Sequence, residues 1–221
     1  MNALPYSVQF SHRKTISLSL NANGTISVRA PWGTAPETIE TIIERHRTWI
    51  ERRAAAIKIS CERFPPFKMQ TGSKFTFFGQ TLTLILTDCA ALAQVNDRLC
   101  CPISADVNDL IAWIKRASLP RLEERVRHYA AQMGVRVSKV SVTSAKTRWG
   151  SCAARSRLNF TFRLAFCPPE VIDYVVVHEL AHIPYPNHQA DFWQLVKTVL
   201  PSYTIHRQWL KENAGLMNIL P

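Results

Sequence analysis

Apolar and polar residues alternate in short runs along the first hundred positions of the chain. Alternation with a period of two predicts β-strands that bury one face. The predicted strands cover residues 6–10, 15–20, 25–29, 74–78, 81–87, 93–95 and 98–101. Asn23-Gly24 and Gly79-Gln80 are turn-forming pairs. We therefore predict that the second strand forms a hairpin with the third, and the fourth with the fifth.

A helical spacing of apolar residues interrupts this β pattern after residue 33. Residues 34–37 (TAPE) fit a capping box, with Thr34 at the helix start and Glu37 three residues later. Apolar residues then recur along one face to about residue 57, and Pro65-Pro66 ends the pattern. Residues 1–103 are therefore predicted to form an N-terminal β-rich segment with one helix.

Helical patterns dominate from residue 104 onwards. Residues 107–133 predict one long helix, or two helices divided near Pro120, ending at Gly134. Strands predicted at residues 140–143 and 158–162 flank a turn, and Pro168-Pro169-Glu170 begins a further helix. This change of pattern predicts a second domain over residues 104–221.

The composition is that of a globular protein, with 47% apolar residues among 221. No apolar run approaches the roughly 18 residues of a membrane span. The first residues lack a charged segment followed by an apolar one, so we expect a cytoplasmic protein with no membrane partner. Six cysteines occur without a CxxC pair, and Cys100 and Cys101 are adjacent, which favours reduced thiols over disulfides.

The net charge is +11, and the basic excess is spread along the chain. Residues 1–100 carry 12 basic and 7 acidic side chains, and residues 101–221 carry 15 and 9. A spread excess of this kind is typical of a solvated surface, and it is also compatible with an anionic partner such as a nucleotide or nucleic acid. Motifs specific for nucleic-acid binding are absent.

The most informative motif is His178-Glu179-Leu180-Ala181-His182, followed by His188. On a helix, residues four apart lie about 40° apart around the axis, so His178 and His182 can offer two imidazoles to one zinc ion. Glu179 points roughly 100° away from its neighbour, which suits a catalytic base that takes a proton from the metal-bound water. A shuffled chain of this composition would contain about 0.01 HExxH motifs, so chance is a poor explanation.

The connection between the second and third histidines is rich in proline. Pro184 and Pro186 end the helix after about His182 and allow His188 to fold back as a third zinc ligand. We predict Asn187 as the N-cap of the following helix, with His188 in its first turn. Three protein ligands leave a fourth position for water, as in catalytic zinc sites. The spacing equals that of metzincin proteases, but Tyr185 stands where they have glycine, which disfavours metzincin membership.

In a zinc hydrolase of this kind, the metal and one further donor would polarise a substrate carbonyl or a phosphoryl oxygen. Tyr203, His206, Arg207 and Arg148 are candidates by residue type, although such side chains pack or pair far more often than they catalyse. Arg148-Trp149-Gly150 forms a turn before a strand, and an extended peptide can add to the edge of such a strand through backbone hydrogen bonds, which favours a peptide-bond hydrolase. The alternative is that Trp149 anchors the core, Gly150 forms a tight turn and Arg148 pairs with a carboxylate.

The chain resembles the YgjP-like metal-dependent hydrolases, which are relatives of the SprT and WLM metallopeptidases. The segments that carry the resemblance are residues 28–31 (VRAP), 146–152 (KTRWGSC), Asn159, 169–182, 187–188, 192–193 and 207–211. The resemblance implies an α+β fold, with a zincin-like metallopeptidase catalytic domain following the N-terminal β-rich segment. It also implies zinc on His178, His182 and His188, with Glu179 as the catalytic base.

The leading hypothesis is a zinc-dependent metallopeptidase that acts on a peptide or protein. Two alternatives from other classes remain. The first is a zinc hydrolase of nucleotides or other phosphoanhydrides, suggested by the net charge. The second is a non-catalytic, zinc-stabilised binding module, against which the presence of Glu179 argues because a structural zinc site does not need it.

Overall fold

The computed structural model describes residues 5–21 and 25–221 and divides the chain into two compact units, residues 1–65 and 66–221. The architecture mixes helices with several small sheets and begins with strands, so the predicted α+β class is confirmed. The boundary predicted at residues 103 and 104 lies within the second unit, between its first sheet and its longest helix.

The first unit is a three-stranded sheet followed by two helices. Its strands are β1 (Tyr6–Ser11), β2 (Ser17–Leu20) and β3 (Ile26–Pro31), in the order β1-β3-β2. The antiparallel pairing of β2 with β3 confirms the predicted hairpin, whose turn at residues 22–24 lies outside the described residues. Pairing of β1 with β3 is parallel. Alternate residues of β3 and isoleucines of the helices form the core of this unit: Ile26, Val28, Ala30, Ile39, Ile43 and Ile50.

The helical part of this unit differs from the prediction in two respects. It forms two consecutive helices, α1 (Pro36–Arg45) and α2 (Arg47–Arg63), rather than one. The predicted capping box at Thr34 is wrong, because the N-cap is Ala35 and no side chain caps the helix. The Thr34 hydroxyl donates instead to the Pro31 carbonyl at 2.8 Å, which closes the turn after β3.

The second unit begins with a four-stranded sheet, in which β4 (Lys74–Phe77), β5 (Gln80–Thr87), β6 (Ala93–Val95) and β7 (Arg98–Pro102) have the order β4-β5-β7-β6. The hairpin of β4 and β5 is confirmed. Gly79 in its turn has φ +84°, and an added Cβ would lie 2.9 Å from the ring of Pro169. Glycine is therefore required here both for its backbone conformation and for close packing against Pro169.

One continuous helix, α3 (Val107–Met133), follows this sheet and contains Pro120 in its interior. Asp106 and Asp109 form a capping box at its start, and Gly134 ends it in the left-handed conformation with φ 65°. The single-helix alternative is thus confirmed. The Arg125 guanidinium pairs with the Asp173 carboxylate and links α3 to the next long helix.

A second small sheet consists of β8 (Lys139–Thr143), β9 (Gly150–Ala153) and β10 (Arg157–Thr161), in the order β8-β10-β9. β10 is parallel to β8 and antiparallel to β9, which is the edge strand. After a short 3₁₀ helix (Phe162–Phe166), the chain forms α4 (Pro169–Ala181), α5 (Ala190–Val199), α6 (Tyr203–Glu212) and a second 3₁₀ helix (Ala214–Asn218). Helix α4 packs against both α3 and β9.

The buried Arg163 secures the last residues of this unit. Its side chain is 0% exposed and donates to the carbonyls of Met217, Leu220 and Pro221, each at 2.7 Å. Met217 is itself buried. The charged guanidinium is therefore satisfied by main-chain oxygens.

The cysteines agree with the predicted reduced state, since the thiols of the five whose side chains are described are all free. None of the helices in the described residues is both long enough and apolar enough to span a membrane.

Candidate active site

Helix α4 contains two of the four candidate site residues, His178 and Glu179, and a third, His182, is its C-cap. The helix begins with Pro169 at its first position, as predicted, and nine of its residues are buried. His182 is the C-cap, so the helix ends where Pro184 and Pro186 require it to end. His178 and Glu179 lie in the last turn of this buried helix, on a rigid support.

The loop after α4 brings His188 back towards the helix, although not in the predicted way. The N-cap of α5 is Gln189, so the predictions of an Asn187 cap and of His188 in the first turn are both wrong. The His188 carbonyl accepts a hydrogen bond from the Trp193 indole N–H at 3.1 Å. That carbonyl is therefore held by a side chain and not by the helix.

The three histidines converge. One ring nitrogen from each of His178, His182 and His188 lies within 4.8 Å of the other two, and no other such group of potential ligands occurs in the described residues. Nε2 of His188 is 3.1 Å from Nε2 of His178. Tetrahedral zinc with Zn–N bonds of about 2.0–2.1 Å holds its nitrogens roughly 3.3 Å apart, so the donor set fits this ion.

Hydrogen bonding and electrostatics also suit a metal site. The His182 Nδ1–H donates to the Tyr185 carbonyl at 3.2 Å, which leaves its Nε2 as a lone-pair donor. Burial, followed by the neighbouring His182, His188 and Arg207, lowers the pKa of His178 to about 3. Burial is also the main cause that lowers the pKa of His182. Neutral imidazole is the form that binds metal.

Aromatic and cationic side chains support the exposed third histidine. The Trp193 ring stacks on His188 with centroids 5.6 Å apart and an interplanar angle of 26°. Tyr203 stacks on Trp193 at 5.5 Å, and the Arg207 guanidinium lies 4.7 Å from the Trp193 ring centre. Sequence reasoning missed this positioning role of Trp193, although Phe192-Trp193 was among the segments that carried the family resemblance.

The four side chains considered as hydrogen-bond donors to the substrate lie in different parts of the structure. Tyr203 and Arg207 join the aromatic group behind His188. Ser202 and His206 share a hydrogen bond of 3.2 Å, and His206 is not part of the histidine cluster. Arg148 is exposed in the loop before β9, and its positive charge favours a lower pKa of Glu179.

Glu179 is buried on the side of α4 that faces β9. Its side chain is 6% exposed and is not among the clustered metal ligands of the described residues. Burial raises the pKa of Glu179 to about 7, while a backbone hydrogen bond from Cys152 and the charge of Arg148 act in the opposite direction. A carboxyl group in such a setting exchanges protons near neutral pH.

Gly150 has a different role from the tight turn considered above. It is the first residue of β9, and an added Cβ would lie 2.7 Å from Oε1 and 2.7 Å from Cγ of Glu179. No side chain can occupy that space without displacing the carboxylate or the strand. The glycine therefore allows close contact between the edge strand and Glu179.

Replacing Gly150 with alanine tests this contact. On the prediction that Glu179 is the base, turnover should fall about tenfold or more, because displacing a catalytic group by a fraction of an ångström weakens catalysis strongly. Zinc content should not change, because the three imidazoles are untouched. Ala153→Ser, on the opposite face of the same strand, serves as the matched control. Equal turnover of the Gly150→Ala and wild-type proteins would refute the role assigned to Gly150.

Comparison with known proteins identifies the family. The model of the YgjP-like metallopeptidase domain matches residues 14–213, which is most of the chain. The chain belongs to the YgjP-like family. A search of curated proteins found no significant match. Part of the YgjP-like chain is similar in structure to most of the metallopeptidase zymogen abylysin of Pyrococcus abyssi, with 18% identity, 41% of this chain and 93% of that chain covered, and a TM-score of 0.38.

Membership of a metallopeptidase family implies a metal cofactor and hydrolase chemistry. The three clustered histidines are the metal-binding candidates of this YgjP-like chain within the part that the structure describes. The assignment of individual ligands and of the base stays a prediction.

Proposed function

We propose that this chain is a zinc-dependent peptidase, with His178, His182 and His188 as zinc ligands and Glu179 as the general base. The observation that carries the proposal is the convergence of three ring nitrogens at the end of α4, next to a buried glutamate. A histidine triad alone would fit a structural site, but a buried carboxylate beside it favours catalysis.

Bound zinc would supply Lewis acidity, polarising a water molecule and the substrate carbonyl. The remaining roles belong to the protein's own residues. The Glu179 carboxylate takes a proton from the attacking water and returns it to the nitrogen of the leaving amine. Gly150 leaves room for that carboxylate, and the backbone of Cys152 binds it. His182 is oriented by Tyr185, and His188 by the stacked Trp193.

An edge strand beside the base supports a peptide substrate. β9 pairs with β10 on one side only, so its outer edge presents main-chain groups without a strand partner in its sheet. An extended peptide can add to such an edge through backbone hydrogen bonds. Because Gly150 of this strand touches Glu179, a peptide bound there would pass the catalytic base.

A substrate screen tests the proposal. Zinc-loaded protein should cleave peptides from a mixed library, and neither metal-depleted protein nor Glu179→Gln should do so. Nucleoside triphosphates form the second arm, because the alternative hydrolase class would act on them instead. Zinc binding without turnover in either arm would favour the non-catalytic module. The family match favours a peptide or protein substrate and gives no support to a nucleic-acid partner.

A further inference from the structure

A cavity of about 300 Å³ lies against the sheet of β8, β9 and β10. Its side-chain lining includes Thr143, Arg148, Ser151, Asn159 and Thr161. Asn159 pairs with Ser151, and Thr161 pairs with Thr143, so these four side chains share one face of the sheet. The alternate residues Leu158 and Phe160 are 0% exposed and form the apolar face. The cavity therefore occupies the polar face.

Two side chains of the cavity, Ser151 and Asn159, keep hydrogen-bond donors that no described residue uses. Thr161 donates to the Ala145 carbonyl at 2.7 Å and Thr143 to the Phe160 carbonyl at 3.3 Å, so both of their hydroxyl hydrogens are occupied. The Ser151 hydroxyl accepts from the Asn159 amide at 3.4 Å and retains its own hydrogen. The second amide hydrogen of Asn159 also remains available.

Arg148 adds a positive charge at this cavity. It has no hydrogen bond or ion pair with any described residue, and its electrostatic influence falls on Glu179. No carboxylate is among the lining residues. A cavity with a guanidinium, a hydroxyl donor and an amide donor, and without an acidic group, is suited to an oxyanion.

The edge strand connects this cavity to the catalytic base. Both Gly150 and Ser151 line the cavity, but an added Cβ at Gly150 would meet Glu179, whereas the side chain of the next residue, Ser151, lies on the other face of β9. A peptide added to this edge would alternate in the same way, with successive side chains on opposite faces. A substrate residue next to one that faces Glu179 would therefore direct its side chain towards the cavity.

We infer that this cavity is a specificity site for an acidic side chain of the peptide substrate. Arg148 binds the carboxylate, and Ser151 and Asn159 donate further hydrogen bonds to it. The inference rests on the proposed function, because it requires a peptide bound along β9.

The test uses matched peptides that the enzyme cleaves, with Glu or Gln, and Asp or Asn, at each position around the scissile bond. At one of these positions, kcat/KM for the peptide with the acidic residue should exceed that for its amide partner by roughly tenfold or more. This is the difference expected for a charge-assisted hydrogen bond. Arg148→Met should bring this ratio close to one, and Ser151→Ala should lower it less. Arg157→Met, an exposed arginine on the same sheet that does not line the cavity, should keep the ratio.

A binding measurement complements the kinetics. Calorimetry with the Glu179→Gln protein should give the same preference for the acidic peptide over its amide partner, and Arg148→Met should remove it. A preference for a phosphoserine peptide over the glutamate peptide would overturn the carboxylate assignment. Two outcomes would refute the inference while the proposed function stands. The first is Glu179-dependent cleavage without a preference for the acidic peptide, and the second is a preference that persists in the Arg148→Met protein. Failure to cleave any peptide would instead refute the proposed function and the inference with it.

Discussion

Glu179→Gln is expected to lower turnover by about 10²–10⁴-fold while zinc binding and folding are retained. Glutamine has nearly the same size and keeps a carbonyl oxygen that can accept the hydrogen bond from Cys152, but it cannot take a proton from water. The side chain is buried and does not belong to the histidine cluster, so the ligands should keep their positions. Steady-state kinetics on the best peptide of the screen, with zinc content measured on the same samples, checks this result.

Glu170→Gln is the matched control for this prediction. Glu170 lies on the same helix, in its exposed first turn, so the same chemical change should leave turnover unchanged. If the zinc-loaded Glu179→Gln protein cleaved the peptide at the wild-type rate, another group would have to act as the base, and the assignment of Glu179 would be wrong.

Alanine at His178, His182 or His188 should each weaken zinc binding by at least about 100-fold. Loss of a direct ligand should cost more than loss of the groups that orient ligands, which typically costs 10–100-fold. His188→Ala is the cleanest variant, because its side chain is exposed and its removal leaves no buried void. Competition titration against a zinc chelator measures the affinity, and thermal unfolding of the metal-free proteins separates ligand loss from misfolding.

His128→Ala on α3 controls for the removal of an imidazole, since this exposed histidine is outside the cluster. Its zinc affinity should equal that of the wild type. Full zinc retention by His188→Ala would contradict the three-histidine set and require a different third ligand. Glu212, which the structure places in a hydrogen bond with Gln208, would then be the next residue to test.

Local sequence patterns were sufficient for most of the elements. Period-two alternation located the two predicted hairpins, and Gly134 marked the end of α3 because only a residue tolerant of positive φ suits that position. The HExxH spacing placed His178 and His182 on one helix, since helical geometry depends only on neighbouring residues.

Two of the local predictions that failed concern helix caps. Thr34 was expected to cap α1, but its hydroxyl is taken by the Pro31 carbonyl. Asn187 was expected to cap α5, but the Trp193 indole binds the His188 carbonyl and the helix begins later. In both cases the residue type suited the cap, but a competing hydrogen bond accounts only for Thr34.

The sequence by itself therefore identified the helix that carries the HExxH motif, its end at the prolines and the three candidate metal-binding histidines, because each depends on contacts within about ten residues. Only the tertiary structure placed the edge strand β9 against Glu179. The contact of Gly150 with Glu179 joins residues on different elements, and the cavity beside Arg148 exists only because three strands align their polar faces. Such contacts depend on how strands and helices pack, and no local pattern specifies that packing.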